Sequence, residues 1–318
     1  MADPHIHIPA VEMPSLDPAD RPLVITHADC PDGWCCEFLF RRHFGDNADY
    51  MQAKYGDPIP DVRLRPHVYI ADFCWPFGDM VQLARGCGGR LTVLDHHRTA
   101  ESTLTNIVWS SADRFGSTPS CVFDLNHSGA YLTWQFLKSA GATDPAFAYG
   151  KPPLIVQLVE DRDLWKWQLP DSRELNAALS SYPKTVEAWT GLHGLLTPVG
   201  GGGYWRLVRE GSAILRRQEQ EVEAAVSRAV ELTIAGYRVQ VVNTTCHHSE
   251  IGGRLAAGRP FAATYFDDLK RNLRVWSFRS LDGGIDVSEI AKKFGGGGHR
   301  NAAGAQQALG EPIAAMST

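Results

Sequence analysis

The sequence lacks any hydrophobic run long enough to cross a membrane. Its apolar runs are far shorter than the ~20 residues that a membrane-spanning helix needs. Residues 1–20 also lack the basic start and the apolar core of a secretory signal peptide, and their four prolines indicate a loose tail. His5 and His7 are interpreted as part of that tail rather than as metal ligands. We therefore expect a protein that has no membrane partner.

Clustered cysteines and an excess of positive charge are also missing. The seven cysteines are odd in number and follow no repeating spacing, which predicts reduced thiols and a cytoplasmic location. The 31 lysines and arginines are outnumbered by 36 aspartates and glutamates, which gives a formal net charge of −5. Such a protein is not expected to coat nucleic acid by bulk attraction. A small phosphorylated substrate remains compatible with this charge, because bound metal cations would reverse the local field.

The chain is long enough for two domains at 318 residues. Its 44% hydrophobic and 21% charged residues are typical of a soluble globular protein. Glycines at residues 200–203 indicate a domain boundary. Residues 204–232 have the pattern of a connecting helix. Its charged side chains are expected to form a solvated face; the alternative is a basic groove for nucleic acid. The predicted divisions are a tail (1–20), an N-terminal domain (21–198), a linker with the connecting helix (199–232) and a C-terminal domain (233–318).

Three short apolar runs of the N-terminal domain each lead to side chains that can bind a metal ion. The runs and these side chains are 23–25 with His27, 68–71 with Asp72, and 91–94 with Asp95, His96 and His97. The turn and helical pattern after the first run are typical of a βα unit, so we expect a parallel sheet in an α/β fold. Ligands bind at the carboxyl edge of such a sheet. The sequence therefore predicts a cluster of oxygen and nitrogen donors there, although any one strand end could simply meet water.

A further pair of acids follows an apolar stretch that two prolines open. Residues 154–160 predict a buried helix, which leads to Asp161, Arg162 and Asp163. One acid is expected to face the site while the other caps the chain or pairs with Arg162. We favour Asp161 as the site residue.

The C-terminal domain alternates strand and helix patterns again, which predicts a smaller α/β unit. The expected strands are residues 237–242, 261–266 and 273–278. The first expected helix is residues 249–257. The second begins at a cap formed by Asp286 or Ser288 and ends near Phe294.

Four consecutive glycines, residues 295–298, precede His299 and are costly in backbone entropy. We expect their backbone N–H groups to approach an anion, with a helix N-terminus behind them; a flexible loop is the alternative. Arg279 follows the predicted strand at residues 273–278. We expect its guanidinium to form a bidentate contact to phosphate; the alternative is an exposed arginine at the end of a strand.

Together these motifs resemble those of the DHH phosphoesterase superfamily with a C-terminal DHHA1 domain. The Asp-His-His sequence at residues 95–97 matches the motif that names the superfamily, and residues 296–304 match the GGGH-xx-AAG motif of DHHA1. Residues 30–33 and 160–165 are similar to an oligoribonuclease or cyclic-nucleotide phosphodiesterase-like subgroup. The resemblance implies a parallel-sheet DHH catalytic domain that a linker helix joins to a smaller α/β DHHA1 substrate-binding domain.

The resemblance also implies a site with two manganese ions, for which magnesium could substitute. The residues that match metal-ligand positions are His27, Asp32, Asp72, His96 and Asp161. Asp72 would be shared by both ions, His97 would contact the scissile phosphate or assist the leaving group, and Asp95 would orient a histidine. The first motif departs from the usual spacing, which leaves Asp29 either a ligand or a turn residue. The substrate-binding residues implied by the DHHA1 motif and its surroundings are Arg279, Gly296, Gly297, Gly298 and His299.

The leading hypothesis for function is a manganese-dependent phosphodiesterase that acts on short oligonucleotides or on cyclic or linear dinucleotides. Carboxylates and imidazoles without clustered thiolates suit Mn²⁺ or Mg²⁺, and net acidity favours a small substrate. The alternatives are hydrolysis of a phosphoanhydride such as pyrophosphate or polyphosphate, and a non-catalytic nucleotide sensor. Tryptophans near the motifs could stack a base; the alternative, which we expect for most of them, is a place in the hydrophobic core. They are Trp34, Trp75, Trp165, Trp167 and Trp276. Whether the chain forms a homodimer is left open.

Overall fold

The computed structural model describes residues 21–109, 116–142, 144 and 150–311. The predicted N-terminal tail, with His5 and His7, lies outside the described residues. The chain divides into two compact units, Met1–Ile214 and Leu215–Thr318. No helix of the described residues is both long and apolar enough to cross a bilayer.

The first unit is built on a five-stranded sheet in which every pairing is parallel. The strand order is β2-β1-β3-β4-β5. The strands are β1 Leu23–His27, β2 Asp49–Ala53, β3 Val68–Ala71, β4 Leu91–Asp95 and β5 Ser120–Phe123. The prediction of a parallel α/β sheet is confirmed. The three central strands match predicted strands, whereas β2 and β5, which lie at the two edges of the sheet, were not predicted.

Helices cover both faces of this sheet. They are α1 Pro31–Phe44, α2 Phe77–Gly86, α3 Glu101–Trp109, α4 Gly129–Ser139, α5 Leu154–Asp163, α6 Ser172–Ser181 and α7 Val186–Leu195, with a 3₁₀ turn at Gly45–Asn47. Successive strand residues point to opposite faces, so Val24 joins one core cluster while Leu23 and Ile25 join the other. Apolar side chains thus fill both sides of the sheet, and polar groups concentrate where the strands end.

A long helix, α8 Gly202–Val226, begins in the first unit and ends in the second. The prediction that helix continues to residue 232 is wrong, because Val230–Ile234 forms strand β6. Ala235 and Gly236 have positive φ angles of 50° and 84° and connect β6 to the next strand in an antiparallel hairpin. The β-branched residues of β6 therefore pair with a neighbouring strand instead of extending the helix.

The second unit contains a six-stranded mixed sheet with the order β10-β11-β9-β8-β7-β6. Its remaining strands are β7 Tyr237–Asn243, β8 Ala262–Asp268, β9 Leu273–Arg279, β10 Gly297–His299 and β11 Ala302–Ala308, and its helices are α9 His248–Leu255 and α10 Val287–Lys293. Asp286 caps α10 by accepting a hydrogen bond from the backbone N–H of Ser288. The expected smaller α/β unit is confirmed.

The glycine run of the second unit differs from its prediction. No described helix begins behind it: α10 ends at Lys293, and Gly297–His299 pairs with β11. A Cβ on Gly296 would lie 2.0 Å from the Gly304 carbonyl oxygen, and one on Gly298 would lie 2.6 Å from that of Ala302. Bare glycines are needed here because the two strands of the hairpin approach so closely.

Candidate metal centre

Metal-ligand side chains meet at the carboxyl edge of the first sheet. His27 is the last residue of β1, Asp72 follows β3, and Asp95 is the last residue of β4. Asp72 has a positive φ of 59°, which turns the chain sharply as the strand ends. Because all the strands are parallel, these ends lie at one edge, as the sequence predicts.

Two groups of three side chains share Asp72. One group is Asp32, Asp72 and His96, and the other is His27, Asp72 and His97; within each, one potential ligand atom per residue lies within 4.8 Å of the others. Asp72 Oδ1 is 3.1 Å from His96 Nε2, whereas Asp72 Oδ2 is 3.6 Å from His27 Nδ1. The two oxygens of one carboxylate therefore face different histidines. This is the arrangement that a carboxylate bridging two cations requires.

The N-terminus of α4 fixes Asp32 within the first group. The Asp32 carboxylate is buried and accepts hydrogen bonds from the backbone N–H groups of Gly129 and Ala130 at 2.7 and 2.9 Å. A Cβ on Gly129 would lie 2.6 Å from the Asp72 Cβ and 3.0 Å from Asp32 Oδ2. Gly129 was not predicted as a residue of the site. Its one local signal was Ser128, which caps α4 by accepting a hydrogen bond from Tyr131.

Asp163, rather than Asp161, lies beside His96. Asp163 Oδ2 is 3.4 Å from His96 Nε2. The Asp161 carboxylate instead accepts hydrogen bonds from the backbone N–H groups of Gln168 and Leu169, at 2.8 and 3.3 Å. The choice of Asp161 as the residue that faces the site is therefore corrected to Asp163. Asp161 has the other expected role, because it caps the chain after α5.

Carboxylates and imidazoles lie close together at the centre, and burial and neighbouring charges shift their pKa values. Burial, reinforced by Asp72, raises the pKa of Asp32 well above its usual range, and burial also raises the pKa of Asp163. Burial alone would raise the pKa of Asp72 too, but the facing histidines outweigh it and hold that pKa well below its usual range. Although burial favours neutral His96, Asp72 and Asp163 raise the His96 pKa to about 10. Such a site attracts cations.

The donor set fits divalent cations. Within the described residues, His27 Nδ1 and Asp72 Oδ2 are buried and have no hydrogen-bond partner, and their separation of 3.6 Å exceeds a normal hydrogen bond. Unsatisfied buried polar atoms are costly, and a cation bound to both atoms would satisfy them. Burial raises the pKa of the nearby Cys30 thiol, which keeps it protonated and a poor ligand. Oxygen and nitrogen donors of this kind suit Mn²⁺ or Mg²⁺.

No family model matches the chain, but two curated proteins are similar to it. An uncharacterized protein of Acanthamoeba polyphaga mimivirus is 25% identical over 306 residues, which cover 89% of this chain and 66% of that protein. The oligoribonuclease NrnB of Bacillus subtilis (strain 168) is 24% identical over 235 residues, which cover 68% of this chain and 53% of NrnB. The chain thus spans less than two thirds of the length of each relative.

A solved structure of a DHH domain, described as belonging to a family of ribosomal proteins, has the same fold. Its TM-score is 0.54 at 12% identity, with coverage of 91% of this chain and 83% of that chain. In this protein the Asp-His-His sequence begins at Asp95, the last residue of β4. Its two histidines belong to the two groups that share Asp72. The chain therefore has the fold of a DHH domain.

Within the Asp-His-His sequence, the aspartate holds the backbone in place through hydrogen bonds, and the two histidines supply imidazole rings. Asp95 Oδ1 accepts hydrogen bonds from the backbone N–H groups of His96 and His97, at 2.7 and 3.0 Å, and lies 2.7 Å from His97 Nδ1. Asp95 is fully buried. It therefore holds both the backbone of the motif and the ring of His97 in place.

Asp29, which the DHH resemblance left undecided, lies outside both groups that share Asp72. It has a positive φ of 58°, its side chain is 87% exposed, and its carboxylate lies 3.8 Å from Lys54 Nζ. Among the described residues, this geometry favours the turn interpretation of Asp29 over the ligand interpretation.

In the second unit, Arg279 is the last residue of β9 and is partly buried. Its guanidinium donates to the Ser249 hydroxyl at 3.0 Å and to the Phe278 carbonyl at 2.9 Å, and no carboxylate of the described residues forms an ion pair with it. Burial lowers the Arg279 pKa to about 10. A partly buried guanidinium that makes no direct ion pair with a carboxylate is suited to an anionic ligand. His299 ends β10 and is half-buried.

Proposed function

We propose that this DHH protein is a manganese-dependent phosphodiesterase that hydrolyses short oligonucleotides or dinucleotides. The observation that carries the proposal is the pair of ligand groups that share Asp72. Magnesium could substitute for manganese, since both ions prefer oxygen-rich sites. The centre belongs to the predicted catalytic domain, residues 21–198, and Arg279 to the predicted substrate-binding domain, residues 233–318.

In this proposal, Asp32, Asp72, His96 and Asp163 hold one cation, and His27 and Asp72 hold the other. When bound, two such cations lower the pKa of a water molecule and neutralise charge on the phosphoryl oxygens. The backbone N–H groups at the start of α4 orient the Asp32 carboxylate before any cation arrives.

His97 is assigned to the scissile phosphate. Its Nδ1 lies 2.7 Å from Asp95 Oδ1, and a buried carboxylate in this position favours the tautomer that carries the proton on Nδ1. Its Nε2 is then the nitrogen that we assign to the phosphate or to the leaving oxygen. Asp95 acts through His97 as a positioning residue.

Exposure of the tryptophans supports a nucleotide rather than pyrophosphate. Trp34, Trp75 and Trp276 are buried, with at most 5% of their surface exposed, so they belong to the cores. Trp165 is 45% exposed and follows Asp163 by two residues. An exposed indole at this position offers a stacking surface for a base, which pyrophosphate does not need. The name of the Bacillus subtilis relative, an oligoribonuclease, agrees with this choice.

A comparison of two substrates tests the proposal. Purified protein with Mn²⁺ is given an RNA of about five nucleotides, a length that a few stacking sites can hold, and separately pyrophosphate. We expect shortened RNA on a gel and little phosphate release from pyrophosphate. Trp165→Ala should raise KM for the RNA by a factor equivalent to about 1–3 kcal/mol, the usual worth of one stacked base. Trp205→Ala, which removes a similarly exposed indole (47%), serves as the control.

Other results would point to the alternative functions. Rapid release of phosphate from pyrophosphate with intact RNA would identify a phosphoanhydride hydrolase. Saturable binding of nucleotide without turnover at saturating Mn²⁺ would identify a sensor. We also propose a cytoplasmic location, which is supported by the seven cysteines, all of them free thiols.

A further inference from the structure

A separate group of metal-ligand side chains lies within the second unit. Glu221 is on α8, and Cys246 and His247 are in the turn between β7 and α9. One potential ligand atom from each residue lies within 4.8 Å of the other two, and His247 Nε2 is 2.9 Å from Glu221 Oε2. The proposed phosphodiesterase reaction uses none of these three residues.

The turn that carries the thiol and the imidazole is fixed locally. The Thr244 hydroxyl accepts a hydrogen bond from the Cys246 backbone N–H at 3.3 Å and donates one to the Cys246 carbonyl at 2.9 Å. His247 has φ and ψ of 54° and 34°, an uncommon conformation for a residue other than glycine, at the position just before α9. This backbone turns the Cys246 and His247 side chains toward α8.

Packing holds the third ligand opposite that turn. Val222 and Ala225 of α8 are buried in a cluster with Val242 and Ile251. On the exposed side, Arg254 donates two hydrogen bonds to the Glu219 carboxylate, at 2.7 and 2.8 Å, and thereby ties α9 to α8. The three ligands therefore stand on elements that pack against one another.

We propose that Glu221, Cys246 and His247 bind a thiophilic divalent cation, with Zn²⁺ as the best match. Thiolate, imidazole and carboxylate are the usual zinc ligands, and zinc–ligand distances of about 2.0–2.3 Å need only small side-chain rotations from the present spacing. Arg217 binds Glu221 Oε1 at 2.8 Å, so Oε2 is the oxygen directed at the ion. The cation replaces the hydrogen bond between Glu221 and His247.

Three protein ligands leave one position on a tetrahedral ion for another molecule. Zinc sites of this composition are open sites, in contrast to closed structural sites with four protein ligands. A groove of about 370 Å³ adjoins the ligands and is lined in part by Glu221, Cys246, Arg228 and Asn243. The thiolate also gives this site a different metal preference from that of the oxygen-rich centre of the first unit, because soft ligands select Zn²⁺ over Mn²⁺.

Thiol labelling tests the site without reference to enzymatic activity. Cys246 is the exposed cysteine, and burial raises the pKa of the other six thiols, so Cys246 should react fastest with a chromogenic disulfide reagent. Cys246→Ser should remove this fast phase. Saturating Zn²⁺ should slow it about tenfold or more in the natural chain, since a metal-bound thiolate is shielded from the reagent.

The protection by Zn²⁺ should depend on the other two ligands. Glu221→Gln and His247→Gln should abolish it, whereas Glu219→Gln, a neighbouring acid paired with Arg254, should retain it. Asp72→Asn should also retain it, because Asp72 belongs to the other centre. Protection that is absent in the natural chain, or that survives both ligand substitutions, would overturn the proposal.

Cobalt provides an independent readout. Bound Co²⁺ should give a thiolate-to-metal charge-transfer band in the natural chain and in Glu219→Gln, and the band should be lost in Cys246→Ser. A natural chain that binds Co²⁺ without this band would place the ion elsewhere and contradict the assignment.

Discussion

At the scale of single residues, the aspartates at the sheet edge differ in what their oxygens contact. Asp32 accepts from two backbone N–H groups of α4, Asp95 accepts from those of the DHH motif, and Asp72 faces histidines with both oxygens. Asp163 faces His96, whereas Asp161 caps the chain after α5. The same type of side chain is thus a candidate metal ligand, a hydrogen-bonded support for the backbone or a cap, according to its partners.

The corrected assignment in α5 gives a paired prediction. Asp163→Asn should reduce bound manganese and slow turnover by about 10²-fold or more, as the loss of an oriented ligand does. Asp161→Asn should retain the metal but lower the free energy of unfolding by about 1–3 kcal/mol, because a charged acceptor of two partly buried backbone hydrogen bonds is weakened. Metal analysis, kinetics and denaturant unfolding of the two variants measure both effects. The reverse pattern would restore Asp161 as the ligand.

The residue types of the centre could be predicted from the sequence, but the choice between these two acids could not. Both acids lie at the end of one helix, and each was given one of the same two roles. The choice depends on the backbone after α5, which turns so that the N–H groups of Gln168 and Leu169 reach Asp161. A turn of this kind is a property of the folded chain and leaves no periodic signal.

At the scale of elements, the start of α4 holds the centre together. The backbone N–H of Gly129 donates a hydrogen bond to the Asp32 carboxylate. The space between Gly129 and Asp72 is too small for a side chain. The apolar runs predicted the three central strands of the first sheet because burial leaves a local pattern, whereas helices α2, α3, α6 and α7 were not predicted. The hairpin of β10 and β11 was not predicted, because the close approach of its two strands, which the glycines allow, leaves no local pattern in the sequence.

Gly129→Ala tests this role of α4. The added Cβ would lie 2.6 Å from the Asp72 Cβ, so Asp72 or the helix must shift. We expect weaker manganese binding and a drop in turnover of about 10²-fold, the usual cost of misplacing a reacting group by about 1 Å. Gly191→Ala in α7 is the matched control, because a Cβ there meets nothing within 4 Å. Equal metal affinity in the two variants would show that the close approach is unimportant.

At the scale of the whole molecule, the chain combines a unit that carries the candidate metal centre with a second unit in which Arg279 forms no ion pair with a carboxylate of the described residues. The sequence predicted two units of the α/β class, because the alternation of strand and helix patterns begins anew after the connecting helix. Arg279 illustrates what the sequence leaves open. Its position at a strand end was visible, whereas its burial and its missing carboxylate partner follow from packing around α9.

Arg279→Ala should mainly raise KM, by a factor equivalent to about 1.5–3 kcal/mol for a lost hydrogen bond to a charged group. Arg279→Lys should restore part of the affinity because it keeps the charge without the planar fork. Arg274→Ala, on the same strand but paired with Asp267, should leave KM unchanged. Steady-state kinetics on a short RNA measure these effects, with thermal unfolding as a check on folding. An effect on kcat alone would argue against substrate binding by Arg279.

Metal stoichiometry combined with turnover shows whether two cations share the carboxylate of Asp72. The natural chain should bind about two manganese ions and cleave short RNA, and chelation should stop cleavage. Asp72→Asn should lose most of both ions and most of the activity while it remains folded, because one substitution disturbs both ligand groups. Asp61→Asn, an exposed aspartate paired with Arg63, should retain both properties. A folded Asp72→Asn variant that still binds two ions and cleaves RNA at a near-normal rate would contradict the account.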